Sequence, residues 1–194
     1  LPPCRWMKSG HLSILPKRPV NTVCNLKTVF TTLRTDDIEY AQKGLFGEVL
    51  HVEGSYIHNL EEFWPYYWNN WRLDYNREFR GDVYATHGLG PACQLLNIHR
   101  GDRMKTLVAM DTKAVTGPEL VKQYQKEEAP DFQNGDHTMT FIRTENGKTI
   151  HIQHDVMNPR PYSRMYQLTG TKGLPTNIPS SNIVSARIRL TAST

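Results

Sequence analysis

The sequence predicts an α+β domain: a large, mostly antiparallel open sheet with helices packed on one face. Three observations carry that reading. Residues 47–58 (GEVLHVEGSYIH) alternate apolar and polar side chains with β-branched content, the period-two signature of a half-buried strand. Glu145-Asn146-Gly147-Lys148 separates two strand-like runs, and Asn-Gly is the strongest short hairpin signal. Residues 93–99 (CQLLNIH) have helical apolar spacing, with Gly88, Gly90 and Pro91 punctuating their start.

The elements follow in order. A strand over 47–58 leads into a long aromatic loop, 59–81, which holds Trp64, Trp68 and Trp71. A helix over about 88–99 comes next, then a strand from Met104 to Val115. Gly117-Pro118-Glu119 opens a short helix running to Glu128, with proline near its first helical position. His137–Thr144 and Thr149–Met157 form the two arms of the hairpin, and Tyr162–Thr169 is a further strand. The chain has no internal repeat and no low-complexity segment.

Composition narrows the class. At 194 residues the chain makes one ordinary domain with a real core and is short for two. It contains no apolar run of membrane-spanning length and no secretory signal. Cys4, Cys24 and Cys93 make neither a disulfide framework nor a zinc pattern, and no His, Cys or acidic spacing suggests a metal. The net charge of +4 could suit a polyanion, but its distribution argues against a nucleic-acid partner. Residues 41–173 carry 15 basic and 16 acidic side chains, so the excess lies at the two ends.

Those ends read as foreign to the middle. Residues 1–40 show little hydrophobic periodicity, and 174–194 have no clear strand or helix pattern. Codons can be chosen for which neighbouring reading frames give better-patterned text. The expectation is therefore a central domain over 41–173, flanked by aberrant segments at 1–40 and 174–194 that arose by frameshift. The encoding nucleotide sequence tests this.

The site-like stretch is Trp71-Arg72, followed by residues 84–91 (YATHGLGP). It places a guanidinium, a phenol and an imidazole within sixteen residues, just before a helix. Helix N-termini present orphan N–H groups and partial positive charge, suited to an oxyanion or a sugar hydroxyl. Each residue also has a plainer reading. Tyr56 and Tyr84 could be core aromatics with locally satisfied hydroxyls, His87 could cap the helix, and Arg72 could be a surface arginine. His58, on the same strand face as Tyr56, reads as support, and two of the three tryptophans read as cover for the sheet.

Residues 44–60 (GLFGEVLHVEGSYIHNL), 69–72 (NNWR), 81–103 (GDVYATHGLGPACQLLNIHRGDR) and 154–173 (HDVMNPRPYSRMYQLTGTKG) together resemble the C-terminal domain of a Gfo/Idh/MocA-type protein. The resemblance is specifically to NAD-dependent glycosyl hydrolase family 109, which is α-N-acetylgalactosaminidase-like, and it spans about two thirds of the chain. The wider superfamily usually has an acidic residue four positions before the site histidine. Here that position is Val83, which favours the hydrolase branch over a generic sugar dehydrogenase.

The resemblance implies NAD as cofactor and a carbohydrate substrate. The dinucleotide fingerprint G-x-G-x-x-G is absent, so the chain reads as a catalytic and substrate-binding fragment without its Rossmann half, inactive alone. The implied chemistry is transient oxidation at the sugar C3, elimination of the aglycone and addition of water. Tyr56 is implied as the base at C2, and His87 as the residue that orients the reacting hydroxyls and touches the cofactor. Arg72, Tyr84 and Tyr162 are implied as sugar contacts. A homodimer through the sheet face and export from the cytoplasm are further implications. The rival readings are an NAD(P)-dependent sugar oxidoreductase of the same superfamily and a non-catalytic carbohydrate-binding or dimerisation module.

Overall fold

The computed structural model describes residues 35–66, 71–125, 131–176 and 182–185. Cys4, Cys24, Trp68, the side chain of Trp64 and most of both terminal segments lie outside these residues. The described elements are α1 (Thr35–Gln42), β1 (Val49–Ile57), a 3₁₀ turn (Glu61–Tyr66), α2 (Trp71–Glu78), α3 (Thr86–Leu95) and β2 (Met104–Asp111). They continue with α4 (Thr116–Gln125), β3 (His137–Thr144), β4 (Thr149–Asp155), β5 (Tyr166–Gly170), β6 (Gly173–Thr176) and β7 (Asn182–Ser185). The strands form a single sheet in the order β2-β3-β4-β1-β5-β6-β7. Every described pairing is antiparallel except β1 with β4, which is the mostly antiparallel open sheet that the sequence predicts.

Alternation sorts the sheet into two faces. Val52 of β1, Ile142 of β3, Ile150 and Ile152 of β4, and Leu168 of β5 point inward and meet Ala92, Leu95 and Leu96 around α3. A smaller apolar cluster lies further along the same face, where Tyr56, Leu60, Leu73, Val121 and Met157 pack together. The opposite face stays open, and Val108, Met110 and Phe141 are exposed.

Several boundaries differ from the sequence expectation, each for a local reason. The stretch 59–81 is not a continuous loop: it contains the 3₁₀ turn and α2, so Arg72 stands on a helix. Leu73 buried at the centre of the smaller cluster gives α2 the anchor that its polar sequence hides. Helix α3 begins at Thr86 and stops at Leu95, short of His99, because Asn97 turns left-handed with φ 54°. Strand β2 ends at Asp111, since the Asp136 carboxylate accepts the Val115 and Thr116 N–H groups at 3.2 and 3.0 Å and starts α4. Pairing of β5 begins at Tyr166, which leaves Tyr162 in the preceding connection. At the ends, α1 and strands β6 and β7 form where the sequence shows no clear pattern.

Candidate functional site

Strand registers bring the candidate residues together. Tyr56 on β1 lies opposite His154 on β4, and His154 lies opposite Thr138 on β3. On the other side, Ile57 bridges Ser163 and Gly54 pairs with Tyr166, which sets Arg164 opposite Tyr56. Thr138, His154, Tyr56 and Arg164 thus form one cross-strand row at the end of the inner face. A residue one step further along any strand points to the other face. Asp155 does so: its carboxylate accepts the Met157 and Asn158 N–H groups and lies 3.3 Å from His137 Nδ1.

Helix α3 lays His87 over this row. Its first turn meets β1 at two glycines, and a β-carbon at Gly54 would stand 2.7 Å from Gly88 Cα. Only the paired absence of side chains allows this approach. It stacks the His87 imidazole on the Tyr56 ring, with centroids 4.4 Å apart and planes at 17°. His154 lies nearly parallel to the same ring at 6.3 Å, and Tyr84 tilts against it at 5.0 Å.

The phenol edge is polar. Tyr56 Oη lies 3.2 Å from His58 Nδ1, and the Arg164 guanidinium carbon is 5.3 Å from the Tyr56 ring centroid and 5.6 Å from that of Tyr162. His58 stands edge-on to Tyr162 at 4.9 Å. Tyr56, His58, Tyr84, His87 and Tyr162 are therefore one contiguous group. Arg72 is placed on α2, its guanidinium 4.6 Å from the centroid of its neighbour Trp71. His87 does not cap its helix, since Ala85 holds the N-cap position without a side-chain cap bond.

Burial sets the charges. Desolvation, with a smaller contribution from the Arg164 charge, lowers the His87 imidazole to about 4. The same two causes lower His58. His154 is 1% exposed, and burial lowers it to about 3. Burial also pushes the Asp82 carboxyl up to about 7, against the Tyr84 N–H that it accepts. Asp82 Oδ1 and His154 Nε2 are 4.0 Å apart, which is ion-pair range. Between about pH 3 and pH 7 the pair is nonetheless two neutral groups, because the acid holds its proton where the imidazole has already lost its own. Among the described residues, His87 Nδ1, Thr138 Oγ1 and both His154 ring nitrogens are buried without a hydrogen-bond partner. Such groups cost about 1–3 kcal/mol each. They are a feature of sites that complete themselves with something else.

Sequence reasoning did not single out Arg164, Asp82 or His154 as part of this group. Arg164 and His154 fall within the quoted stretch 154–173 and Asp82 within 81–103, but nothing local marks them. Only the register shows that Arg164 and His154 face Tyr56, and only the fold sets Asp82 beside His154.

Residues 36–188 match the family model described as glycosyl hydrolase 109, C-terminal domain. The chain is 89% identical over 151 residues to glycosyl hydrolase family 109 protein 1 of Phocaeicola vulgatus, covering 78% of this chain and 32% of that protein. It is 68% identical, with the same coverage, to glycosyl hydrolase family 109 protein 1 of Bacteroides thetaiotaomicron. The chain thus spans about a third of the length of these relatives. Among solved structures it is similar to levoglucosan dehydrogenase in complex with NADH and L-sorbose (TM-score 0.57, 18% identity, 87% of this chain and 44% of that one). It is also similar to the WlbA dehydrogenase from Bordetella pertussis in complex with NADH and UDP-GlcNAcA (TM-score 0.52, 15% identity, 84% and 44%). At such identities the likeness is one of fold.

Proposed function

Because the chain belongs to the glycosyl hydrolase 109 family, we propose that it is the catalytic and substrate-binding part of an NAD-dependent glycosidase for N-acetylgalactosamine-type glycosides. The observation that carries the proposal is the Tyr56 phenol, held in register opposite Arg164, with an imidazole at its oxygen and another on its face. Ordinary glycosidases set two carboxylates across the scissile bond. The acid beside this group, Asp82, lies behind His154 and is protonated up to about pH 7. The site is organised around a phenol instead.

A dinucleotide fits these residues. The buried, unpartnered Nδ1 of a neutral His87 is a hydrogen-bonding group in need of a complement, as a sugar hydroxyl or a nicotinamide edge would supply. Bound NAD⁺ supplies a reversible hydride acceptor for the sugar C3. The residues of this chain do the proton chemistry. Tyr56 takes the proton from C2, which a neighbouring C3 carbonyl makes acidic, while the aglycone leaves from C1. His58 Nδ1, unprotonated at neutral pH, accepts the hydrogen bond of the phenol and orients it. His87 orients the reacting hydroxyl, Tyr84 and Tyr162 wall the sugar, and Arg72 reaches its polar substituents from α2 through a planar fork.

The test uses the full-length protein that carries this domain, assayed on α- and β-linked chromogenic N-acetylgalactosaminides in D₂O, with and without added NAD⁺. The reading expects NAD⁺-dependent release of the chromophore and solvent deuterium at C2 of the sugar. Hydrolysis without C2 deuterium, or only oxidation of free sugar, sinks it.

The open face is proposed to pair with a second copy. Phe141 there stacks flat on His151 at 4.3 Å, beside exposed Val108 and Met110. Sedimentation should show a dimer that Phe141→Glu converts to monomer; equal mass for both proteins removes the proposal. Among the described residues no helix is long and apolar enough to cross a membrane.

A further inference from the structure

Arg164 is held beside the Tyr56 ring, its guanidinium carbon 5.3 Å from the centroid. Its two neighbours are stitched to β1 on either side of Tyr56. Ser163 exchanges both backbone hydrogen bonds with Ile57 at 2.9 Å, and Met165 O accepts the Ser55 N–H at 2.9 Å. Met165 N–H also donates to Ser55 Oγ at 2.9 Å. The segment cannot slide without breaking these four bonds, so the guanidinium keeps its register over the Tyr56 and Tyr162 rings. Its charge also opposes protonation of His58 and His87, adding to the larger effect of burial.

We propose that Arg164 is the positioning residue of this site: its charge, held over the Tyr56 ring, favours negative charge on the Tyr56 oxygen. The proposal rests on Tyr56 acting as the base, and it adds how a phenol can serve near neutral pH. An opposite charge within about 4–6 Å lowers an acid by about 1–3 pK units, and the same charge disfavours a second cation beside it. The titratable groups facing the Tyr56 ring include His58 from the end of β1, Tyr84 and His87 from the α3 side, His154 from β4 and Arg164 from the β5 approach. Asp82 lies behind His154. In that set Arg164 is a cation at neutral pH, whereas burial keeps His87 and His154 neutral. When the phenol ionises, its O–H bond breaks and the proton passes to water. When the phenolate takes the C2 proton, the O–H bond re-forms, so no further reactant is needed.

The test has two parts. NMR titration of the 194-residue chain follows the Tyr56 ζ carbon and the His58 and His87 rings in wild type, R164Q, R164M and R164K. The neutral variants should raise Tyr56 by about one unit or more and move both histidines upward, while R164K retains most of the wild-type values. R164M keeps the apolar stem over the two rings, so it serves if R164Q does not fold. Unmoved Tyr56 and histidine titrations in a folded neutral variant overturn the proposal.

The second part is the pH dependence of kcat/KM in the full-length enzyme. Its acid limb should move with the Tyr56 titration, whereas a merely structural arginine would lower the rate at every pH alike. If the titrations move but the limb stays, the assignment of Tyr56 as base fails while the electrostatic role of Arg164 stands.

Discussion

The two ends of the inner sheet face use the same strands for opposite purposes. Under the middle of α3, Val52, Ile150, Ile152 and Leu168 are at most 2% exposed and pack in one hydrophobic cluster. Four residues beyond Val52 on β1 and two beyond Ile152 on β4, Tyr56 and His154 take the equivalent inward positions, and the row becomes aromatic, polar and incompletely hydrogen-bonded. The first region removes apolar surface from water, at roughly 25 cal/mol per Å². The second leaves buried nitrogens without partners and shifts an acid and two imidazoles far from their ordinary values. A sheet can hold both because the register rigidly couples them: the well-packed end fixes the geometry of the strained one.

Separating the two ends by mutation gives the largest expected effect first. Tyr56→Phe should lower kcat of the full-length enzyme by about 10²–10⁴-fold while leaving the melting temperature nearly unchanged. An equal loss of stability would show that the phenol belongs to the packing side. Leu168→Ala, at the apolar end, is expected to do the reverse and cost about 2–5 kcal/mol in denaturant titration. The folded fraction should keep the His87 and Tyr56 NMR signals close to wild type. If those signals collapse, the two ends are one unit.

Asp82→Asn sharpens the comparison through pH. Asp82 is raised to about 7 from an ordinary 3.8, so the folded state keeps a proton that the unfolded chain has lost. Its contribution therefore lowers stability as pH rises from about 4 to about 7. His87, lowered to about 4 from 6.5, acts oppositely, and its stabilising contribution is lost as pH falls from 6.5 towards 4. His154, lowered to about 3, acts in the same direction as His87, so in the wild type Asp82 offsets only part of the imidazole trend. D82N should remove the first and show stability rising over that window, with a gain over wild type at pH 8 of at most about 4 kcal/mol at ~1.4 kcal/mol per unit. A gain that is the same at pH 4 and pH 8 contradicts the raised carboxyl.

Gly54→Ala tests the hinge between the ends. The new methyl would meet Gly88 Cα at 2.7 Å and push α3 outward, at a cost of about 1–3 kcal/mol. The expected signature is loss of the ring-current shift of His87 against Tyr56. A variant that keeps both stability and stacking would show that the contact yields elsewhere.

Much of this was legible in the residues. The alternation through Val52 and Tyr56, the Asn146-Gly147 turn and the glycine-punctuated start of α3 all respond to local rules of period and backbone freedom. Helix α2 was not legible, because its sequence is polar and only Leu73 and Asn76 are buried in it, the second through a hydrogen bond from Asn134. Arg164 was not legible either, since an arginine after a proline-rich loop looks like any surface arginine until the strand that receives it is known. Among the site residues, Tyr56, His87, Tyr84 and Tyr162 were named from sequence and lie together, and Arg72 stands on α2 with its guanidinium over Trp71.

The sequence by itself determined the class of fold, most of the strands and the family, because alternation, turn chemistry and long motifs are written in neighbouring residues. Tertiary structure alone decided that Thr138, His154, Tyr56 and Arg164 share one row, and that Gly54 and Gly88 let α3 close over it. Register and desolvation join residues up to about a hundred positions apart, and no local pattern encodes the pairing that brings them into contact.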